Sequence, residues 1–210
     1  MLEERRLYLL VTEELCHHGT GPAVREAIAQ GVDMVQVREK RMSDRELLAH
    51  AKRVCAWCRE AGALCIINDR PDIAVLADAD GVHVGQDELS VSEVRRIVGV
   101  ERLIGVSTHQ LEQARQAVLD GADYLGVGPV FRSGTKSFAQ LAGLEFVRSV
   151  AAEISVPWYA IGGITAENLA AVQAAGAFRI AVSGAICGSE TPGSAANELS
   201  MMLQKPIPEC

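Results

Sequence analysis

A single α/β domain closed as a (β/α)₈ (TIM) barrel is the fold this sequence predicts, on three observations. Eight short runs rich in Val, Ile, Leu and Ala alternate with stretches of helical period along the whole chain. Helix-to-strand joins repeat one form, a glycine followed within three residues by a strand, at Gly31–Met34, Gly121–Tyr124 and Gly176–Arg179. No linker or change of composition interrupts the alternation, so residues 1–210 read as one domain. An open, doubly wound sheet is the alternative, and eight units in unbroken order favour closure.

The strands are expected at Leu7–Thr12, Asp33–Glu39, Ala63–Asn68, Gly81–Val84, Leu103–Ser107, Tyr124–Pro129, Trp158–Gly162 and Arg179–Ser183. Between them, helices are expected at Ser43–Ala61, Val91–Val98, Leu111–Asp120, Leu144–Ile154 and Ala166–Ala175. Ser43 and Glu46 have capping-box spacing, and Thr165 stands where it can cap the helix that follows. Gly121 and Gly176 occupy C-cap positions. Pro192 and Gly193 open a last helix that runs to about Gln204.

The 210 residues are few for such a barrel but enough for one sizeable core. Hydrophobic residues make up 49% and aromatics 4%, which suits buried parallel strands. A net charge of -7 argues against non-specific binding to nucleic acid or anionic membrane, so any phosphate site has to be local. No apolar run approaches the roughly 20 residues of a membrane span, and the first residues lack a signal-peptide core, so a cytoplasmic location is expected. Six cysteines are present, with Cys55 and Cys58 spaced as Cys-x-x-Cys inside a predicted helix. No second pair stands at zinc-ligand spacing, so they read as structural thiols. His17 and His18 read as a solvated loop pair.

In a barrel the C-terminal strand ends carry function. The second strand ends in Gln36, Val37, Arg38, Glu39 and Lys40, and strand alternation puts Gln36, Arg38 and Lys40 on one face. That face is expected inward, because cations under the outer helices would be costly to bury. Asn68 and Asp69 end the third strand, and Asp87 and Glu88 follow the fourth, giving hard oxygen donors that suit Mg²⁺. His83 reads as a satisfied histidine, interior or helix-facing, or as a site residue. Ser107 ends the fifth strand with His109 just after it. Ser133, Gly134, Thr135 and Lys136 form a hydroxyl- and lysine-bearing loop after the sixth. Gly162, Gly163, Ser183 and Gly184 end the last two strands, where barrels bind phosphate with backbone N–H groups. The mouth thus offers a glycine-built site for a phosphomonoester and a cation-and-metal site for a diphosphate.

These runs resemble the thiamine phosphate synthase family, which includes thiazole tautomerase relatives. The matching segments are 36–40, 66–69, 81–86, 105–109, 126–131, 134–136 and 160–164, in family order. The resemblance implies a transferase joining an aminopyrimidine diphosphate to a thiazole phosphate, with Mg²⁺ as cofactor and pyrophosphate as leaving group. Family contacts to the pyrimidine diphosphate fall on Gln36, Val37, Arg38, Glu39, Lys40, Asn68, Ser107 and Lys136. Metal positions fall on Asp69 and Glu88, and thiazole phosphate contacts on Ser133, Gly134, Thr135, Gly163, Ser183 and Gly184. Arg38, Lys136 and Ser107 are the expected catalytic residues, in a dissociative reaction where little acid–base chemistry is needed. The family pattern carries aspartate where this chain has Glu88, and Pro-Thr where it has Arg132 and Ser133. The tautomerase pattern differs, with histidine at the place of Pro129 and no aspartate at that of Asp69. A non-catalytic phosphate-binding relative would lack the diphosphate residues, which are present here. Self-association of the chain is left open.

Overall fold

The computed structural model of the chain describes residues 2–132 and 141–204. Eight strands, β1 (Leu7–Val11), β2 (Met34–Val37), β3 (Leu64–Asn68), β4 (Gly81–Val84), β5 (Leu103–Thr108), β6 (Tyr124–Val127), β7 (Trp158–Ile161) and β8 (Ile180–Val182), pair in parallel with their sequence neighbours. β8 closes the sheet on β1 through Leu7–Ile180, Tyr8–Ala181 and Leu9–Val182. The open-sheet alternative is thereby excluded. Most strands are shorter than expected: β2 spans Met34–Val37 rather than Asp33–Glu39, and β6 stops at Val127. The residues just beyond leave the ladder to build the rim.

The helices are α1 (Thr20–Ala29), α2 (Asp44–Ala61), α3 (Pro71–Leu76), α4 (Val91–Val98), α5 (Leu111–Leu119), α6 (Gly143–Glu153), α7 (Ala166–Ala174), α8 (Gly184–Cys187) and α9 (Pro192–Gln204). The expected caps form. Ser43 donates to Glu46 from its backbone N–H and its hydroxyl, at 2.9 and 2.6 Å, ahead of α2. Thr165 and Asn168 make the equivalent box before α7. A cap of this kind contributes about 1 kcal/mol, so these starts are fixed locally.

Strand alternation divides the core into two layers. Val35, Val37, Ile67, Val82, Leu125 and their like face outward and meet the helices. Tyr8, Met34, Ile66, Tyr124, Tyr159 and Ala181 fill the inside. The three tyrosines meet edge to face, with ring centroids 5.2–6.0 Å apart. They fit because β5 gives way: a Cβ on Gly105 would overlap Tyr124 Cζ and His83 Nδ1. Cys55 and Cys58 are buried thiols on α2, and Cys55 Sγ lies 2.9 Å from Cys65 Sγ of β3. Among the described residues, no helix is long and apolar enough to cross a membrane.

Candidate active site

A cavity of about 570 Å³ stands above the tyrosine layer, lined by residues at the C-terminal ends of the strands. From β2, Gln36, Arg38 and Lys40 line it, the inward arrangement that burial cost predicts. Gln36 is buried and donates from Nε2 to the Tyr8 hydroxyl at 2.6 Å. Thr12 donates to the Arg38 carbonyl at 2.9 Å, pinning the strand end from β1. The structure does not bring the side chains of Val37 and Glu39 to the cavity. They occupy the alternate positions of the strand, so Val37 packs under the helices and Glu39 turns toward α2. Glu39 accepts the Glu13 N–H at 2.6 Å and stands 3.9 Å from His50 Nε2. Burial raises its carboxyl above the ordinary value and lowers the His50 imidazole.

On the next wall, Asn68 donates to the Asp69 carboxylate at 2.7 Å, and Lys40 Nζ approaches the same oxygen at 3.6 Å. Asp69 has a φ of 59°, a left-handed backbone that aspartate tolerates better than most residues. Its N–H donates to the His83 carbonyl at 2.8 Å, which ties this turn to β4. Glu88 lines the cavity, whereas the exposed Asp87 does not. Among the described residues, no three His, Cys, Asp or Glu side chains are grouped so as to hold a metal by themselves.

His83 is interior rather than helix-facing, and it also lines the cavity. Its Nδ1 lies 3.2 Å from the Tyr124 hydroxyl and its Nε2 2.9 Å from Ser107 Oγ. Burial pushes the imidazole down to about 4, so it is neutral near pH 7. Tyr124 in turn meets the Tyr8 hydroxyl at 3.0 Å. Sequence reading missed Tyr8 and Tyr124 as site residues, because a tyrosine inside an apolar strand carries no signal beyond packing. His109, also at the wall, has Nδ1 2.6 Å from the Gly128 carbonyl.

The far wall is made of backbone. Gly162 and Gly163 have φ values of 106° and 61°, and a Cβ on Gly163 would overlap the Arg132 carbonyl. Asn168 donates to the Gly163 carbonyl at 2.8 Å and fixes the turn against α7. Ser183 precedes α8, with its hydroxyl buried and without a hydrogen-bond partner, and Gly184 starts that helix. Arg132, whose purpose the sequence left open, lines the same cavity. Ser133, Gly134, Thr135 and Lys136 lie outside the described residues.

The family model described as thiamine monophosphate synthase matches residues 7–186. A thiamine-phosphate synthase of Prochlorococcus marinus (strain MIT 9313) is 48% identical over 84% of this chain and 50% of its own length. The chain thus spans about half the length of the first curated relatives it matches. One from Halalkalibacterium halodurans is 40% identical over 97% of this chain and 98% of its own. The solved structure of a thiamine phosphate pyrophosphorylase from Pyrococcus furiosus superposes with a TM-score of 0.89 at 33% identity, covering 97% of each chain. A 3-hexulose-6-phosphate synthase from Salmonella typhimurium, at 16% identity and TM-score 0.71 over 94% of this chain and 98% of its own, shares the fold alone. With 180 consecutive positions matched (7–186) and a full-length relative at 40% identity, the chain belongs to the thiamine monophosphate synthase family.

Proposed function

We propose that the chain joins an aminopyrimidine diphosphate to a thiazole phosphate, forming thiamine phosphate and releasing pyrophosphate. The observation that carries this reading is one cavity with two unlike anion walls. Arg38, Lys40 and Arg132 bring cations to it, while Gly162, Gly163 and the unpartnered Ser183 hydroxyl offer a neutral cup. A neutral cup of hydroxyl and backbone N–H groups suits a phosphomonoester, and the cations suit the greater charge of a diphosphate.

Arg38 and Lys136 hold the diphosphate and stabilise the charge that gathers as the carbon–oxygen bond breaks. The bond electrons leave with pyrophosphate, and the thiazole nitrogen supplies the pair for the new carbon–nitrogen bond. Ser107 and Gln36 orient the pyrimidine ring over the packed tyrosine layer. No general base is required, in keeping with a neutral, buried His83. Asp69 and Glu88, with the Asn68 carbonyl, give two carboxylates and a neutral oxygen on adjacent walls. That donor set fits Mg²⁺, which takes one or two carboxylates and fills its shell with water and substrate phosphate. When bound, the ion would neutralise charge on the leaving group.

The test is pyrophosphate release with both substrates and Mg²⁺, beside separate titrations of each substrate. Release that requires both substrates is expected. Binding of the thiazole phosphate alone, with no response to the diphosphate, would identify a phosphate-binding protein instead.

A further inference from the structure

β2 leaves the ladder after Val37, yet two of the cavity's cations, Arg38 and Lys40, stand beyond that point. Two bonds from the end of β1 still reach Arg38. Its N–H donates to the Val11 carbonyl at 2.9 Å, and its carbonyl accepts the Thr12 hydroxyl at 2.9 Å. The next grip is a side chain. Glu39, between the two cations, turns its carboxylate away from the cavity, and Oε1 accepts the Glu13 N–H at 2.6 Å. Glu13 opens the short turn Glu13–Leu15 that follows β1. From α2, His50 Nε2 stands 3.9 Å from the same oxygen, and the two side chains are only 2% and 5% exposed. His50 Nδ1 lies 3.5 Å from an Arg53 guanidinium nitrogen, which can only donate. Nδ1 is therefore the acceptor, and Nε2 of the neutral ring carries the hydrogen. That nitrogen is buried without a hydrogen-bond partner, with the Glu39 carboxylate beside it. The separation is too long for a hydrogen bond, but an N–H dipole still attracts a carboxylate where water is excluded. As packing, the pair is a poor choice: a buried carboxylate and an unpartnered imidazole nitrogen cost stability that an apolar pair of similar size would not. A cavity of about 500 Å³, lined by Glu13, Glu39, His50 and Arg53 among others, lies beside them. An ungripped carboxylate thus has room to swing, and the chain through Arg38 and Lys40 has room to follow.

We propose that Glu39 and His50 are positioning residues for the cationic wall. Glu39 ties the backbone between Arg38 and Lys40 to the turn after β1, and His50 holds that carboxylate in place from α2. Neither side chain touches the substrate. Together they set the spacing of the two cations, one of which, Lys40, stands 3.6 Å from Asp69. The proposal rests on the diphosphate reading above, since those cations are the ones assigned to that group.

The test uses Glu39→Leu, Glu39→Gln and His50→Leu, with Tm and the affinities for the aminopyrimidine diphosphate and the thiazole phosphate measured on each. Glu39→Leu should weaken the diphosphate roughly 10- to 100-fold, the scale of a misplacement of about 1 Å, and leave the thiazole phosphate unchanged. Glu39→Gln keeps an acceptor for the Glu13 N–H and should recover most of that loss. His50→Leu should weaken the diphosphate roughly 3- to 10-fold while Tm holds or rises, because a buried unpartnered nitrogen is removed. A purely structural pair would lower Tm and weaken both ligands together, and that result, or an unchanged diphosphate affinity, would overturn the proposal. A Glu39→Gln variant as weak as Glu39→Leu would overturn the grip on Glu13. Hydrogen exchange in the ligand-free protein gives a second reading. The Glu13 and Arg38 amides should exchange faster in Glu39→Leu, with amides elsewhere in the barrel unaltered. Should the wild type fail to bind the diphosphate, the substrate reading fails while the exchange result still decides the positioning: unchanged rates at both amides would overturn it.

Discussion

Ser183→Ala sets stability against function at one atom. The Ser183 hydroxyl is buried and has no hydrogen-bond partner. A buried polar group in that condition costs about 1–3 kcal/mol, and only part of that is offset by its packing. Its backbone (φ −129°, ψ −80°) asks the same of alanine as of serine, and its carbonyl keeps the Ile186 and Cys187 N–H groups of α8 in either variant. Replacing Ser183 with alanine should therefore stabilise the ligand-free protein by about 1 kcal/mol, raising Tm by about 2–4 °C for a chain of this size. On the function proposed above, the same change removes a donor to the thiazole phosphate. A hydrogen bond to a charged group contributes about 1.5–3 kcal/mol, so Kd should rise by roughly 10- to 150-fold. Thermal unfolding and calorimetric titration on one preparation measure both. A destabilised variant with unchanged affinity would mean that the hydroxyl serves the fold, and the reasoning would be refuted.

Three further outcomes are expected. Asp69→Asn keeps a residue that tolerates the left-handed φ of 59°. It should fold normally yet lose at least roughly 100-fold in Mg²⁺-dependent pyrophosphate release, a deficit that a Mg²⁺ titration should not restore. Lys136→Ala should slow the single-turnover rate by roughly 10²- to 10³-fold with thiazole phosphate affinity unchanged, and an unaltered chemical step would remove Lys136 from the site. At the opposite end of the barrel, burial raises the Asp33 carboxyl from 3.8 to about 6. The folded state thus binds the proton more tightly, a stabilisation complete below pH 3.8 and lost as pH rises through about 6. Between about pH 7 and 4.5 the wild type should gain about 2 kcal/mol relative to Asp33→Asn in urea unfolding, and parallel pH profiles would contradict this.

What could be read from the sequence followed from local rules. Alternation placed Gln36, Arg38 and Lys40 together, and spacing gave the caps at Ser43 and Thr165, because both depend on neighbours a few residues away. The same alternation turns the side chains of Val37 and Glu39 out of the cavity. Helices α1 and α3 were not placed because their starts are weak: Gly19 caps α1 without a side chain, and α3 has six residues opening on Pro71. The line from Tyr8 through Tyr124 and His83 to Ser107 had no local signature at all. It joins β1, β6, β4 and β5, and only the stagger of the closed sheet brings those levels together.

The closing seam of the sheet also sets an order in time. β8 has three residues, yet it bonds to both β7 and β1. In a chain still emerging from the ribosome, Arg38 and Lys40 are synthesised long before Ser183 exists. Until residues 180–182 arrive, β1 and β7 expose unpaired edges that invite pairing with other chains. Ser183 of the proposed phosphate cup directly follows the closing strand, so the step that hides those edges also completes the mouth. Growing chains would therefore gain no protection from thiazole phosphate, and the interval before β8 docks is when a chaperone would matter most.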